Sequence, residues 1–138
     1  MIQTNSYAVF RADFPDDSEE VGDEVAVPAG RNVVDAICER LRSAGMPTTQ
    51  PTQHSFYGWT AEFQLDNATI WMLLQSGDPE RLLIVEARCS WLSRAATKAE
   101  ALAHGVALIK EILGSDSRFS GVQWMSQQEF ESAKRHRR

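Results

Sequence analysis

The sequence predicts an α+β fold: an antiparallel sheet of three to five strands, with a central meander over residues 56–89, packed against two main helices. Its element order reads β-α-β-β-β-α-β-α. Three observations predict this. Alternation of period two runs from Phe56 to Leu65 and resumes over 82–89, with an apolar run over 69–75 between them, separated by short turns. Helical spacing of apolar residues marks one stretch before that meander and one after it. The 138 residues are 43% hydrophobic and 24% charged, which suits a single core and a single domain over 1–138.

The first element is a strand over 6–12, in which Tyr7, Val9 and Arg11 alternate with Ala8 and Phe10, and Pro15 ends it. Seven acids and no base lie between Asp13 and Glu24. Like charges repel along a chain, so 13–27 is expected to be a flexible acidic loop. Pro28, Ala29 and Gly30 lead into a helix over 31–44, which sets Val33, Val34, Ile37, Leu41 and Ala44 on one face. Arg31, Asp35, Glu39 and Arg42 lie opposite, and Gly45 and Pro47 stop it. A loop rich in threonine, proline and glutamine follows to His54.

In the strand 56–65, Tyr57, Trp59, Ala61, Phe63 and Leu65 share one face, and Phe56, Gly58, Thr60, Glu62 and Gln64 the other. Asp66 and Asn67 tolerate positive φ and suit a hairpin turn. Residues 69–75 are apolar on both faces, as in a central strand covered on both sides. A turn with Gly77 and Pro79 leads to 82–89, with Leu83, Val85 and Ala87 inward and Leu82, Ile84, Glu86 and Arg88 outward.

The second long helix starts at Ser93 or at Thr97, which with Glu100 has capping-box spacing, and ends near Leu113, before Gly114. Ala95, Ala99, Leu102, Val106, Ile109 and Leu113 form its core face. Ala101, Gly105, Leu108 and Ile112 widen the apolar arc to about half the circumference. One sheet face rarely uses so wide an arc, so the C-terminal segment or a second subunit is expected over it. Ala101, Leu108 and Ile112 are accordingly the candidate interface of a homodimer. A short strand over 121–125 follows. Ser126 and Glu129 then form a second capping box, opening a helix that runs to about Arg135 and into a basic tail, 134–138.

The net charge of -5 and the confinement of clustered bases to the tail argue against nucleic acid as a partner. No run approaches the roughly 20 apolar residues of a membrane span, and the N-terminus lacks a signal-peptide pattern, so a soluble, cytoplasmic protein without membrane partners is expected. Cys38 and Cys89 stand far apart without a CxxC pattern, and His54, His104 and His136 lack metal-ligand spacing. Neither a metal nor a cofactor is expected. Gly77-Asp78-Pro79 lacks the pattern of a phosphate loop, and no nucleophile motif is present.

The outward sheet face is the richest constellation. If the hairpins pair as read, it carries Phe56, Thr60, Glu62, Trp71, Leu73, Ile84, Glu86 and Arg88, an apolar centre among charges, as in protein interfaces. Phe56, Glu62, Trp71, Leu73, Ile84, Glu86 and Arg88 are the candidate partner-binding residues. A second constellation is an aromatic pocket around Tyr57 and Trp59, near His54.

From Arg31 onward the α-βββ-α-β-α order, at this size and acidity, resembles the layout of the small acidic chaperones of type III secretion and their YbjN-like relatives. The resemblance lies in element order. In composition the chain is similar to small acidic immunity proteins that neutralise bacterial toxins. Either resemblance implies protein binding without chemistry, and the first implies dimerisation through a helix or sheet face. The expected function is a non-enzymatic interaction module of the chaperone, immunity or adaptor kind, with no catalytic residues. The alternative is a small enzyme or ligand-binding domain using the Tyr57 and Trp59 pocket.

Overall fold

The computed structural model describes residues 5–55, 57–65, 68–75, 77, 80–89 and 95–136. The strands are β1 (Asn5–Ala12), β2 (Glu19–Val21), β3 (Glu24–Val27), β4 (Thr52–His54), β5 (Gly58–Leu65), β6 (Ala68–Gln75), β7 (Arg81–Arg88) and β8 (Phe119–Met125). The helices are α1 (Arg31–Ser43), α2 (Ala95–Ser115) and α3 (Gln127–His136). Six strands form one sheet in the order β4-β5-β6-β7-β1-β8, with antiparallel neighbours throughout, while β2 and β3 pair separately. The α+β class and the central meander thus stand.

The sheet is larger than the expected three to five strands, and the element order gains β2, β3 and β4. Each addition has a local reason. Residues 13–27, expected to be a loop, include a hairpin that turns at Gly22, φ 65°, and pairs Val21 with Glu24 and Glu20 with Val25. Its valines supply strand propensity that the surrounding acids mask in the sequence. β4 is only three exposed residues, too short to show alternation, and is held by pairing with β5. The expected turn at Asp66 and Asn67, the turn residues Asp78 and Pro79, and a cap at Ser93 lie outside the described residues.

One face of the sheet is dry. Ala8 and Phe10 of β1, Trp59, Ala61, Phe63 and Leu65 of β5, Ile70, Met72 and Leu74 of β6, and Leu83, Val85 and Ala87 of β7 are buried there. Each large side chain so buried contributes roughly 1.5–3 kcal/mol. α1 lies over β5, and α2 over β6, β7, β1 and β8. Val33, Val34, Ile37, Cys38 and Leu41 face this core as the helical spacing predicts, while Ala44 caps the helix end and is exposed.

The wide apolar arc of α2 is taken up inside the subunit. Ala101, Leu102, Ile109, Ile112 and Leu113 are buried between the sheet and α1, and Gly105 brings the helix so close to β6 that a Cβ there would stand 3.1 Å from Ile70. α1 and β8 meet different sectors of the same arc, so the C-terminal segment covers part of it, as expected, and α1 covers another part. Thr97 lies within α2 rather than at its cap, and the helix passes Gly114 to end at Ser115.

α3 packs on the opposite face, against β1 and β8. Its start is the predicted capping box: the Glu129 amide donates to Ser126 Oγ at 3.1 Å, and the Ser126 amide donates to the Glu129 carboxylate at 3.0 Å. The Phe130 ring then sits 5.0 Å from that of Tyr7. Lys134 to His136, expected to belong to a tail, continue this helix. The glycine at 121, φ 61°, sits at the bulge where β8 slips register against β1 between Val9 and Arg11.

Candidate functional site

Strand register builds the outer face in rows, because residues directly opposed in an antiparallel ladder share a side of the sheet. One row runs Thr52, Thr60, Leu73, Ile84, Tyr7 and Met125 across all six strands. The next sets Glu62, Trp71, Glu86 and Asn5 in line. Arg88 stands opposite Thr69 one row further out. The predicted face is therefore real for Glu62, Trp71, Leu73, Ile84, Glu86 and Arg88; Phe56 lies outside the described residues.

Trp71 is the centre of this face. The Arg88 guanidinium lies 4.4 Å over its ring and reaches Glu86 at 3.2 Å, so one cation satisfies an aromatic face and a carboxylate together. The His54 ring approaches Trp71 edge-on at 6.3 Å and Tyr57 at 5.4 Å. Leu73 is only 5% exposed and forms the floor, whereas Trp71, Ile84, Glu62 and Glu86 are half-buried and Arg88 is exposed. Glu62 and Glu86 both oppose Trp71, one strand to either side, so the indole stands between them and Glu86 is engaged by Arg88.

Tyr7 closes the other end of the same row. Burial beneath α3, with the carboxylates of Glu131 and Glu86 nearby, raises its phenol above the ordinary tyrosine value. Tyr7 and Met125 were not among the site residues picked out from the sequence, and His54 was picked out only for the aromatic pocket. Alternation shows which residues share a strand face, but not that β1 lies beside β7 and β4 beside β5.

The aromatic pocket does not assemble. Trp59 is 6% exposed on the helix side, where its Nε1 donates to the Pro28 carbonyl at 2.8 Å, while Tyr57 is 38% exposed and turns toward His54. Strand alternation does not extend to Tyr57, which sits in the turn before β5.

Of the three candidate oligomer residues, Ala101 and Ile112 are 2% and 7% exposed. Leu108 is half-buried and lines a groove of about 250 Å³ between α1 and α2, with Arg40 and Glu111 at its rim. Cys38 and Cys89 are free thiols, and burial pushes Cys38 above the usual thiol value. Among the described residues no group of His, Cys, Asp or Glu is arranged to hold a metal ion, and no helix is long and apolar enough to cross a membrane. No protein-family model matches the chain, and comparison with curated proteins gives no match.

Proposed function

We propose that this protein is a non-enzymatic interaction module of the small acidic chaperone, immunity or adaptor kind, working in the cytoplasm and binding a protein partner across the outer face of β5, β6 and β7. One observation carries the reading. α1 and α2 both pack on the helix side and α3 covers β1 and β8, which leaves Trp71 and Ile84 half-buried among Glu62, Glu86 and Arg88. Tryptophan and arginine at the centre of a face are the residue types that most often dominate binding energy. The net charge of -5 favours a partner with a basic surface, and the acids of the β2–β3 hairpin add a field that speeds encounter. A homodimer belongs to the same proposal, though not through Ala101 and Ile112, whose side chains the subunit's own core occupies.

The test is affinity capture from the native host with wild-type protein beside a Trp71→Asp, Ile84→Asp variant whose fold is checked by thermal unfolding. The expected result is one stoichiometric protein held by the wild type and lost from the variant. Equal capture by both, or no partner at all, would overturn the reading.

A further inference from the structure

We propose that the free edge of β8 pairs antiparallel with β8 of a second copy of this chain, about a two-fold axis at Gln123, so that two six-stranded sheets become one. The two edges of the sheet differ in kind. β4 has three residues, follows Pro51 and is followed by Ser55, φ 56°, so it offers little backbone to pair. β8 has seven residues, none charged and none proline, and no described strand lies beyond it. Sheet edges are ordinarily blunted by a charge, a proline, shortness or a bulge. β8 has a bulge across Gly121 and Val122, which leaves 123–125 in regular register with β1.

The helix side of that edge is also unfinished. Val122 and Trp124 of β8 pack against the core but are only partly buried. A strand added at β8 would extend the sheet under these groups.

The occupant follows from symmetry and charge. An antiparallel ladder is self-complementary about a two-fold axis, and opposed residues must share a face. Within 122–125, where Val122 and Trp124 face inward and Gln123 outward, axes at Gln123 or Trp124 satisfy that condition. An axis at Trp124 would draw in Ser126, which is committed to capping α3. An axis at Gln123 keeps the ladder within the strand and sets each Val122 against the copy's Trp124. On a chain of net charge -5, an uncharged strand is also where two copies meet with least repulsion. The outer face of β5 to β7 stays open in such a dimer, so this inference rests on the homodimer part of the proposed function and not on its partner-binding face.

Sedimentation across the micromolar range tests it with wild type, Gln123→Lys, Gln123→Glu and an equimolar mixture of the two variants. The Gln123 side chain is exposed, and the two-fold places each new charge opposite its own copy. The expected result is a wild-type dimer, dissociation at about fivefold higher concentration in each variant, and recovery in the mixture. Hydrogen exchange of the wild type should show amides in 121–125 slowing as concentration rises, a readout that holds even if a variant fails to fold. A wild type that stays monomeric, a dimer without edge protection, or one indifferent to both charges would overturn the proposal. Failure here leaves the Trp71 and Ile84 capture experiment untouched.

Discussion

Asp17 holds the amino end of α1 from a distance. Its two carboxylate oxygens accept from the Gly30 amide at 2.8 Å and the Asn32 amide at 2.9 Å, while Asn32 Nδ2 donates back to the Pro15 carbonyl at 2.8 Å. Gly30, at the N-cap, has no side chain for this work, so an acid from the run before the hairpin supplies the missing acceptor. Asp17→Ala should therefore destabilise the domain by about 0.5–2 kcal/mol, read as a lower thermal midpoint, whereas Glu19→Ala in the exposed hairpin should change it little. In the sequence Asp17 is one acid among seven, and nothing local distinguishes a structural carboxylate from a solvated one when its partners lie thirteen and fifteen residues away.

Asp116 is a second acid with a defined task. The Arg118 guanidinium and amide both donate to it, at distances down to 2.8 Å, and hold its carboxyl down at about 2. A depressed folded value contributes stability that is present above the ordinary carboxylate range and lost as pH falls through it toward about 2. Asp116→Asn should flatten that part of the acid limb of a stability-against-pH curve. The effect is expected to be small because Arg118 is half exposed and the pair is screened. An identical acid limb in the variant would remove Asp116 from the account.

Among elements, α3 shows how far local chemistry reaches. The Ser126 and Glu129 box was readable three residues apart and formed as read, since a capping box needs no tertiary partner. Ser126→Ala should cost about 0.5–2 kcal/mol of helix stability and speed amide exchange within α3, leaving the amides of β6 unchanged. α2 marks the opposite limit. Its broad apolar arc was plain from spacing, yet whether α1, the C-terminal segment or another subunit would cover it depended on packing. Gly105 is the contact that decides its height above the sheet. Gly105→Val should overpack against Ile70 and destabilise by about 1–3 kcal/mol, measured by denaturant unfolding. β4 and the β2–β3 hairpin were missed because three- and four-residue strands hold at most two periods of alternation, too few to stand out.

Across the whole molecule, charge and surface are arranged asymmetrically. The hairpin places Glu19, Glu20, Asp23 and Glu24 on exposed backbone, tied to the domain by Gln53 Nε2 donating to the Ala26 carbonyl at 3.0 Å. Reversing those four acids to lysine spares the Asp17 cap. Once a basic partner is in hand, it should slow association severalfold at low salt and little at high salt, with thermal stability retained; an unchanged rate at low salt would count against steering.

By itself the sequence determined the α+β class, the meander and which residues of each of its strands share a side, the buried side of α1 and the start of α3. Each of these depends on periodicity or on contacts within a few residues, and period two or 3.6 survives whatever the neighbours are. Tertiary structure alone decided that β1 is inserted between β7 and β8, that α1 shares the arc of α2, that Trp59 and Tyr57 part company, and that Asp17 caps a helix far along the chain. Those outcomes turn on which distant surfaces meet. A linear pattern states what each surface wants to bury, but not against whom.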